Sequence, residues 1–280
     1  MINPILRKDI KTTSRTFKFN LLLMVYIAIM SILSISSYSF MKNSVDFTVD
    51  AGLEWFIAFT LIEAGVFSLL APALTASSIA GEREKQTLDI LLTTTLRPRQ
   101  IIVGKILTAL ATFTLLVVCS LPAFTPTMMF GIITMWQVIA IQLYILFCGA
   151  VIISLCVLVS SFTKSSRAAN LGAYLAVFGW LVGIPIIVAL ITALTPIAES
   201  NIYMDVIKLV FISPGAGLAA LLVSMLNMSG YGQNLFMIGK MPVWALALII
   251  GAVVMVLSIW LAARNLDPNK NIKFKHKKKK

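Results

Sequence analysis

Residues 137–162 read QVIAIQLYILFCGAVIISLCVLVSSF, a run without a single acidic or basic side chain. A helix needs about 20 mostly apolar residues, roughly 17–25, to cross the hydrocarbon core of a bilayer. This run is long enough and apolar enough to do so. It therefore predicts a transmembrane helix.

Five further runs of the same kind lie on either side, at about residues 20–41, 53–80, 100–130, 169–194 and 242–263. Only Lys105 places a basic residue inside any of the six. Another apolar segment, 203–228, is interrupted at Pro214, and its halves are too short to span a bilayer. We therefore predict an all-α polytopic membrane protein with six spans and an outer re-entrant helical hairpin at 203–228.

The composition agrees with a membrane protein. Hydrophobic residues make up 59% of the 280 residues and charged residues 12%, against roughly 45–50% and 25% in soluble proteins. This balance excludes a disordered chain and a soluble nucleic-acid-binding domain. Cys119, Cys148 and Cys156 lie inside apolar runs without metal-ligand spacing, which favours buried hydrophobic cysteines over a disulfide framework.

The distribution of basic residues predicts the orientation, because cytoplasmic loops carry an excess of lysine and arginine. Six spans with both termini in the cytoplasm leave only Lys42, Lys208 and Lys240 outside, out of 23 basic residues. A seventh span would move the basic tail, 269–280, to the outer side. The net charge of +12 is thus a topology signal, although the tail can also bind anionic lipid weakly.

The segment before the first span is predicted to be an interfacial amphipathic helix, residues 4–19. At about 100° per residue, Arg7, Lys11 and Arg15 share one face, while Leu6 and Ile10 lie opposite. An irregular basic leader is the alternative. The first apolar run is longer than the core of a cleaved signal peptide, so we expect it to be retained as a signal anchor.

Residues 81–100 read GEREKQTLDILLTTTLRPRQ and separate the second run from the third. Gly81 is expected to end the second helix, which at about 42 Å would project beyond the roughly 30 Å core. A short amphipathic helix over 82–96 follows, with Leu88 and Leu91 on one side. Such a ridge can dock into a groove of a partner protein or fold back onto the membrane, and the pattern alone leaves both open.

The segment GEREKQTLDILLTT, with LRPRQIIVGK after it, resembles the signature of the type 2 ATP-binding-cassette (ABC) exporter permeases. The close match covers residues 81–105. The resemblance implies that the segment is the principal coupling helix, held against a separate ATPase subunit. Its implied main contacts are Gly81, Glu82, Arg83, Glu84, Thr87, Leu88 and Leu91, and its minor contacts are Lys164, Ser165 and Arg167 in the second cytoplasmic loop.

The resemblance also implies an assembly of two ATPase copies and two permeases, with the substrate path between the permeases. The second permease is either identical or paralogous. ATP and magnesium are expected on the ATPase, with no cofactor bound by this chain. No Walker A pattern is present, since Lys105 is followed by Ile106 and Lys240 by Met241. The single histidine, His276, lies in the tail, so we expect neither catalytic residues nor a metal site.

Glu63 is the one acidic residue deep inside a span, about 15 Å along the second helix. A membrane-buried ionisable side chain is costly and is a functional candidate. We interpret Glu63 as a possible substrate-path or proton-coupling residue. A hydrogen-bonded packing glutamate and a group wetted from an outer vestibule are the alternatives.

Small residues in the fifth run, Gly172, Ala176, Gly179 and Gly183, are spaced four, three and four apart. Such spacing lets helices approach closely. They form either a packing surface within one subunit or a seam between two permeases. Pro185 is expected to kink the outer half of this span, and Pro122 and Pro126 to bend the outer end of the third.

Taken together, the sequence predicts a single permease domain, residues 1–268, in the cell membrane, followed by the cytoplasmic tail. The predicted function is the membrane subunit of an ATP-driven exporter. Two alternatives from other classes remain open: a secondary transporter that uses Glu63, and a non-transporting membrane interaction or immunity protein. The transported substrate is not encoded in any motif of the chain.

Overall fold

The computed structural model describes residues 17–43, 49–87, 98–131, 133–194, 213–225, 237–238 and 241–266. Within these ranges the chain is helical apart from turns and one short antiparallel hairpin, formed by β1 (Met237–Ile238) and β2 (Met241–Pro242). Six helices there are long and apolar enough to cross a membrane. The predicted all-α fold with six spans is confirmed at this level.

The described helices form the six spans as follows. Span one is α1 (Phe17–Asn43), and span two is α2 (Val49–Thr75), followed after a turn by α3 (Ala80–Glu84). Span three is α4 (Pro98–Ser120), extended by a 3-10 turn and α5 (Thr125–Met129), and span four is α6 (Met135–Phe162). Span five comprises α7 (Ser166–Phe178) and α8 (Ile184–Leu194); α9 (Pro214–Met225) precedes span six, α10 (Val243–Leu266).

Span four lies at the centre of the bundle and is the most enclosed of the six. It contacts spans two, three, five and six as well as α9. A capping box formed by Thr134 and Gln137 begins the helix. Gln137 Nε2 also donates a hydrogen bond to the Met225 carbonyl at 3.1 Å, which fixes the end of α9 beside the N-terminal end of span four.

Span two is interrupted earlier than the sequence suggests. The predicted helix runs unbroken to Gly81, whereas in the structure it breaks at Ala76–Ile79, and Gly81 lies inside α3. The Ser78 N–H bonds to the carbonyl of Thr75, three residues back, at 3.0 Å. This tight turn replaces the regular pattern of α-helical bonds, in which each N–H binds the carbonyl four residues back.

Prolines account for the irregular outer ends of spans three and five. Pro122 and Pro126 stand in the first turns of the 3-10 segment and of α5, as the predicted bend requires. In span five, a π-helix at Gly179–Gly183 precedes Pro185. A proline ring clashes with the carbonyl four residues back in a regular helix, and the wider π turn relieves that crowding around Leu181.

Several predicted elements fall wholly or partly outside the described residues. These are most of the interfacial helix 4–19, the first half of the hairpin 203–228, the tail 269–280, and residues 88–97 of the coupling segment. The start of the coupling segment differs from its prediction as one helix over 82–96. Helix α3 ends at Glu84, and Gln86 adopts a left-handed φ of 57° that turns the chain.

Candidate functional site at the ends of spans two to five

At the break that follows span two, a hydroxyl from span four accepts hydrogen bonds from two backbone N–H groups. Ser160 is fully buried, and its Oγ accepts hydrogen bonds from the N–H groups of Ile79 at 3.1 Å and Ala80 at 3.0 Å. A break inside a helix leaves backbone donors without their usual carbonyl partners, and buried donors of this kind must find others. Ser160 therefore supplies the partner that the interruption requires.

Arg83 crosses from α3 to the loop after span four. Its guanidinium donates from Nη1 to the Thr163 carbonyl at 2.7 Å and from Nη2 to the Ser161 carbonyl at 3.1 Å. These carbonyls lie at the C-terminal end of α6, where helix carbonyls lack intrahelical partners and carry partial negative charge. The planar guanidinium of arginine presents several N–H donors in a fixed geometry, which suits two such carbonyl acceptors.

Glu84 makes the matching contact to the start of span five. Its Oε2 accepts hydrogen bonds from Ser166 Oγ at 2.5 Å and Ser166 N–H at 2.9 Å. These two bonds hold the pKa of the exposed Glu84 carboxyl below its usual value. Ser165 caps the same helix by accepting from the Ala168 N–H at 3.4 Å.

Glu82 pairs with span three. Its Oε1 lies 2.7 Å from Nζ of Lys105, and both side chains are largely enclosed. Glu82 Oε2 is buried and has no hydrogen-bond partner among the described residues. Lys105 is the only basic residue within the predicted runs. It forms an ion pair with a carboxylate from α3.

The structure brings together most of the site residues that the sequence predicted in the two loops. Residues 79–84 meet residues 160–166 at the inner end of span four, while Lys164 and Arg167 are exposed beside them. Thr87 Oγ1 donates to the Glu82 carbonyl at 3.2 Å. Leu88 and Leu91 lie outside the described residues.

The sequence did not reveal the partners of Glu82, Arg83 and Glu84. Ser160, Ser161, Ser166 and Asn265 were not singled out, although Asn265 Nδ2 donates to the Ser161 carbonyl at 2.8 Å and thereby adds span six to the cluster. The run SSFTKSS at 160–166 was the available signal, because hydroxyl side chains gathered at a helix end favour capping.

Glu63 belongs to a second polar cluster, inside the bundle. It has no exposed surface. Its Oε2 accepts a hydrogen bond from Gln142 Nε2 at 2.8 Å, and Tyr26 Oη lies 3.5 Å from its Oε1. The buried side chain of Ser120 also contacts the carboxyl. Spans one, two, three and four therefore each contribute one polar side chain to this cluster.

The chain matches the model of a known protein family. The family described as ABC-2 family transporter protein matches residues 4–263, which is almost the whole chain. The chain belongs to the ABC-2 transporter family. No curated protein sequence matches it significantly. Members of this family are membrane components of ABC transporters that generally work with an ATPase subunit, so the chain is a multi-pass transmembrane permease.

The permease has an apolar cavity of about 420 Å³ between spans two, three, four and five and α9. Phe113, Tyr144, Phe178 and Leu181 are among its walls. Glu63 does not line it, although the next residue, Ala64, does. The carboxyl thus points into the bundle and not into this cavity.

The small residues of span five divide into two groups in the permease. A Cβ added at Gly172 would lie 3.0 Å from Val159 Cγ1, so Gly172 packs against span four. A Cβ added at Gly179 or Gly183 would meet no atom within 4 Å. Span five is also the least enclosed of the six spans. The inner part of the stripe is a contact within the chain, and the outer part is open surface in a single subunit.

Proposed function

We propose that this permease is the membrane subunit of an ATP-driven exporter, with both termini in the cytoplasm. The observation that carries the proposal is the family match over residues 4–263. The structure supports it through contacts between the segment after span two and the loop after span four. Arg83 donates to the Thr163 carbonyl, and Ser166 donates to Glu84. A surface on which an ATPase acts has to be connected to the spans, and these contacts provide a connection.

In this proposal an ATPase subunit docks on the segment after α3. Thr87, Leu88 and Leu91 form the main contact, and Lys164 and Arg167 form the minor one. ATP and magnesium bind to the ATPase, and closure of two ATPase copies moves two permeases. The turn at Gln86 supports this arrangement, because its left-handed φ of 57° changes the direction of the chain directly after α3 and before Thr87.

A second permease subunit, identical or paralogous, would pack on the outer half of span five. The open positions Gly179 and Gly183 support this surface, since glycine permits the close approach of another helix. The substrate path would lie between the two permeases.

We further propose that Glu63 stabilises the bundle. Its burial and its hydrogen bond from Gln142 support packing more than contact with a substrate. Secondary transport through Glu63 receives no comparable support, because the carboxyl does not line the cavity.

The test is an affinity purification from the native membrane. The native chain is compared with a Leu88→Ala, Leu91→Ala variant, and with Arg99→Ala, which removes an exposed cation at the start of span three. We expect a P-loop ATPase to co-purify with the native chain and the Arg99→Ala control, and to be lost from the leucine variant. If no ATPase accompanies the native chain under conditions that preserve other membrane complexes, the proposal fails.

A further inference from the structure

Helix α3 is separated from the span that precedes it in sequence. The helical hydrogen bonding of span two is interrupted at Ala76–Ile79, and the two N–H groups released there bind Ser160 of span four. The start of α3 is therefore held by span four through side-chain bonds and by span two only through an irregular turn.

Three consecutive charged residues then attach α3 to three other spans. Glu82 binds Lys105 of span three, Arg83 binds carbonyls at the end of span four, and Glu84 binds Ser166 of span five. The Ser161 carbonyl that accepts from Arg83 also accepts from Asn265 of span six. One five-residue helix thus connects the ends of three spans directly, and span six joins them through the shared Ser161 carbonyl.

These contacts use the atoms that a docking surface would offer to a partner. One oxygen of Glu84 already accepts two hydrogen bonds, and Glu82 is largely enclosed beside Lys105. A partner that bound the Arg83 guanidinium would first have to separate it from the Thr163 and Ser161 carbonyls, leaving the end of span four uncapped.

We infer that Glu82, Arg83 and Glu84 are positioning residues that clamp the first cytoplasmic segment to the second cytoplasmic loop, so that both loops move as one unit. The mechanical meaning of the clamp rests on the proposed function. In this assignment Glu82, Arg83 and Glu84 transmit motion to spans three to six, and the segment beyond Gln86 meets the ATPase. The direct ATPase contact that the family resemblance implies for these three residues is replaced by an indirect role.

The inference is tested by a distance between the two loops. Spin labels are attached at Lys85→Cys and Ala168→Cys, two exposed positions on either side of the clamp. The native cysteines Cys119, Cys148 and Cys156 are replaced by alanine. The full-length chain, with its co-purified ATPase, is placed in lipid nanodiscs, and the distance distribution is measured with and without ATP and magnesium.

We expect one narrow distance that does not shift when ATP and magnesium are added. An Arg83→Ala, Glu84→Gln variant should lose the narrow distance, and Arg83→Lys should lose it in part, because lysine keeps the charge without the fork. The Arg99→Ala control should keep it. If the double variant does not fold, Ser166→Ala provides a milder break of the same clamp.

Two results would overturn the inference. One is a narrow distance that persists in the clamp variants, and the other is a native distance that shifts with ATP. Absence of any co-purifying ATPase would instead count against the proposed function, while the distance measured without nucleotide would still decide the clamp. Loss of the ATPase from a variant that keeps the narrow distance would make these residues direct contacts.

Discussion

Gln142 Nε2 lies 2.8 Å from Glu63 Oε2 and donates a hydrogen bond to it, which ties span four to span two inside the bundle. Both side chains are buried. Removing one partner of a buried hydrogen bond leaves the other unsatisfied, whereas replacing both by apolar groups of similar shape can be almost neutral. This asymmetry makes the pair testable.

Gln142→Leu should lower the free energy of unfolding by about 1–3 kcal/mol, because Glu63 loses its best hydrogen-bond donor. The double variant Glu63→Leu, Gln142→Leu should recover most of the loss. Thermal unfolding of the purified permease in detergent measures both effects. A single variant that melts like the native chain would show that the bond contributes little.

Ser160→Ala should destabilise the permease by about 1–3 kcal/mol, since the buried N–H groups of Ile79 and Ala80 lose their acceptor. Ser154 provides a matched control in the same helix. It is equally buried, but its hydroxyl bonds only to the Val151 carbonyl within its own helix. Ser154→Ala should leave the melting temperature close to native, and equal losses for both serines would argue against a special role for Ser160.

Gly149→Ala should cost about 1–3 kcal/mol through overpacking. An added Cβ would overlap the Phe113 ring, with Cδ1 of that ring only 2.8 Å away. Gly65→Ala is the control, because a Cβ there meets no atom within 4 Å. Alanine favours helix over glycine by up to about 1 kcal/mol, so the control should melt at or above the native temperature. The opposite order would contradict the packing.

Replacing Gly179 and Gly183 by leucine should leave the folding of one subunit intact and weaken the association of two. The reason is that both positions are open within the chain. Gly172→Leu should act differently and lower stability itself, since Val159 lies against that position. Crosslinking in native membranes measures the association, and thermal unfolding measures the stability. An unchanged dimer yield in the outer-glycine variant would place the seam elsewhere.

The number of spans was accessible from sequence because it depends on local composition, whereas the break after Thr75 in span two was not. Apolar runs of sufficient length identify membrane helices without knowledge of their neighbours. Pro122 and Pro126 likewise marked the irregular outer end of span three, since proline acts on its own backbone. Glu63 was recognised for the same reason, as an isolated acid in an apolar run.

What sequence reasoning could not supply depends on partners far away in the chain. The break at Ala76–Ile79 contains no glycine or proline, and its acceptor, Ser160, lies about 80 residues further on. Gln142, the donor to Glu63, is equally distant. The partners of Glu82, Arg83 and Glu84, which are Lys105, Ser161 and Ser166, likewise lie far along the chain from these charged residues.

The π-helix at Gly179–Gly183 has a consequence for how span five tolerates sequence change. A wider turn accommodates one residue more than a regular helix would, and one residue corresponds to about 100° of rotation. The outer half, Ile184–Leu194, is therefore turned relative to the inner half that packs on span four. A single-residue deletion within these five positions would remove the wider turn, bring the Pro185 ring against the carbonyl four residues before it, and present a different face of the outer half to its surroundings, while leaving the inner half in place.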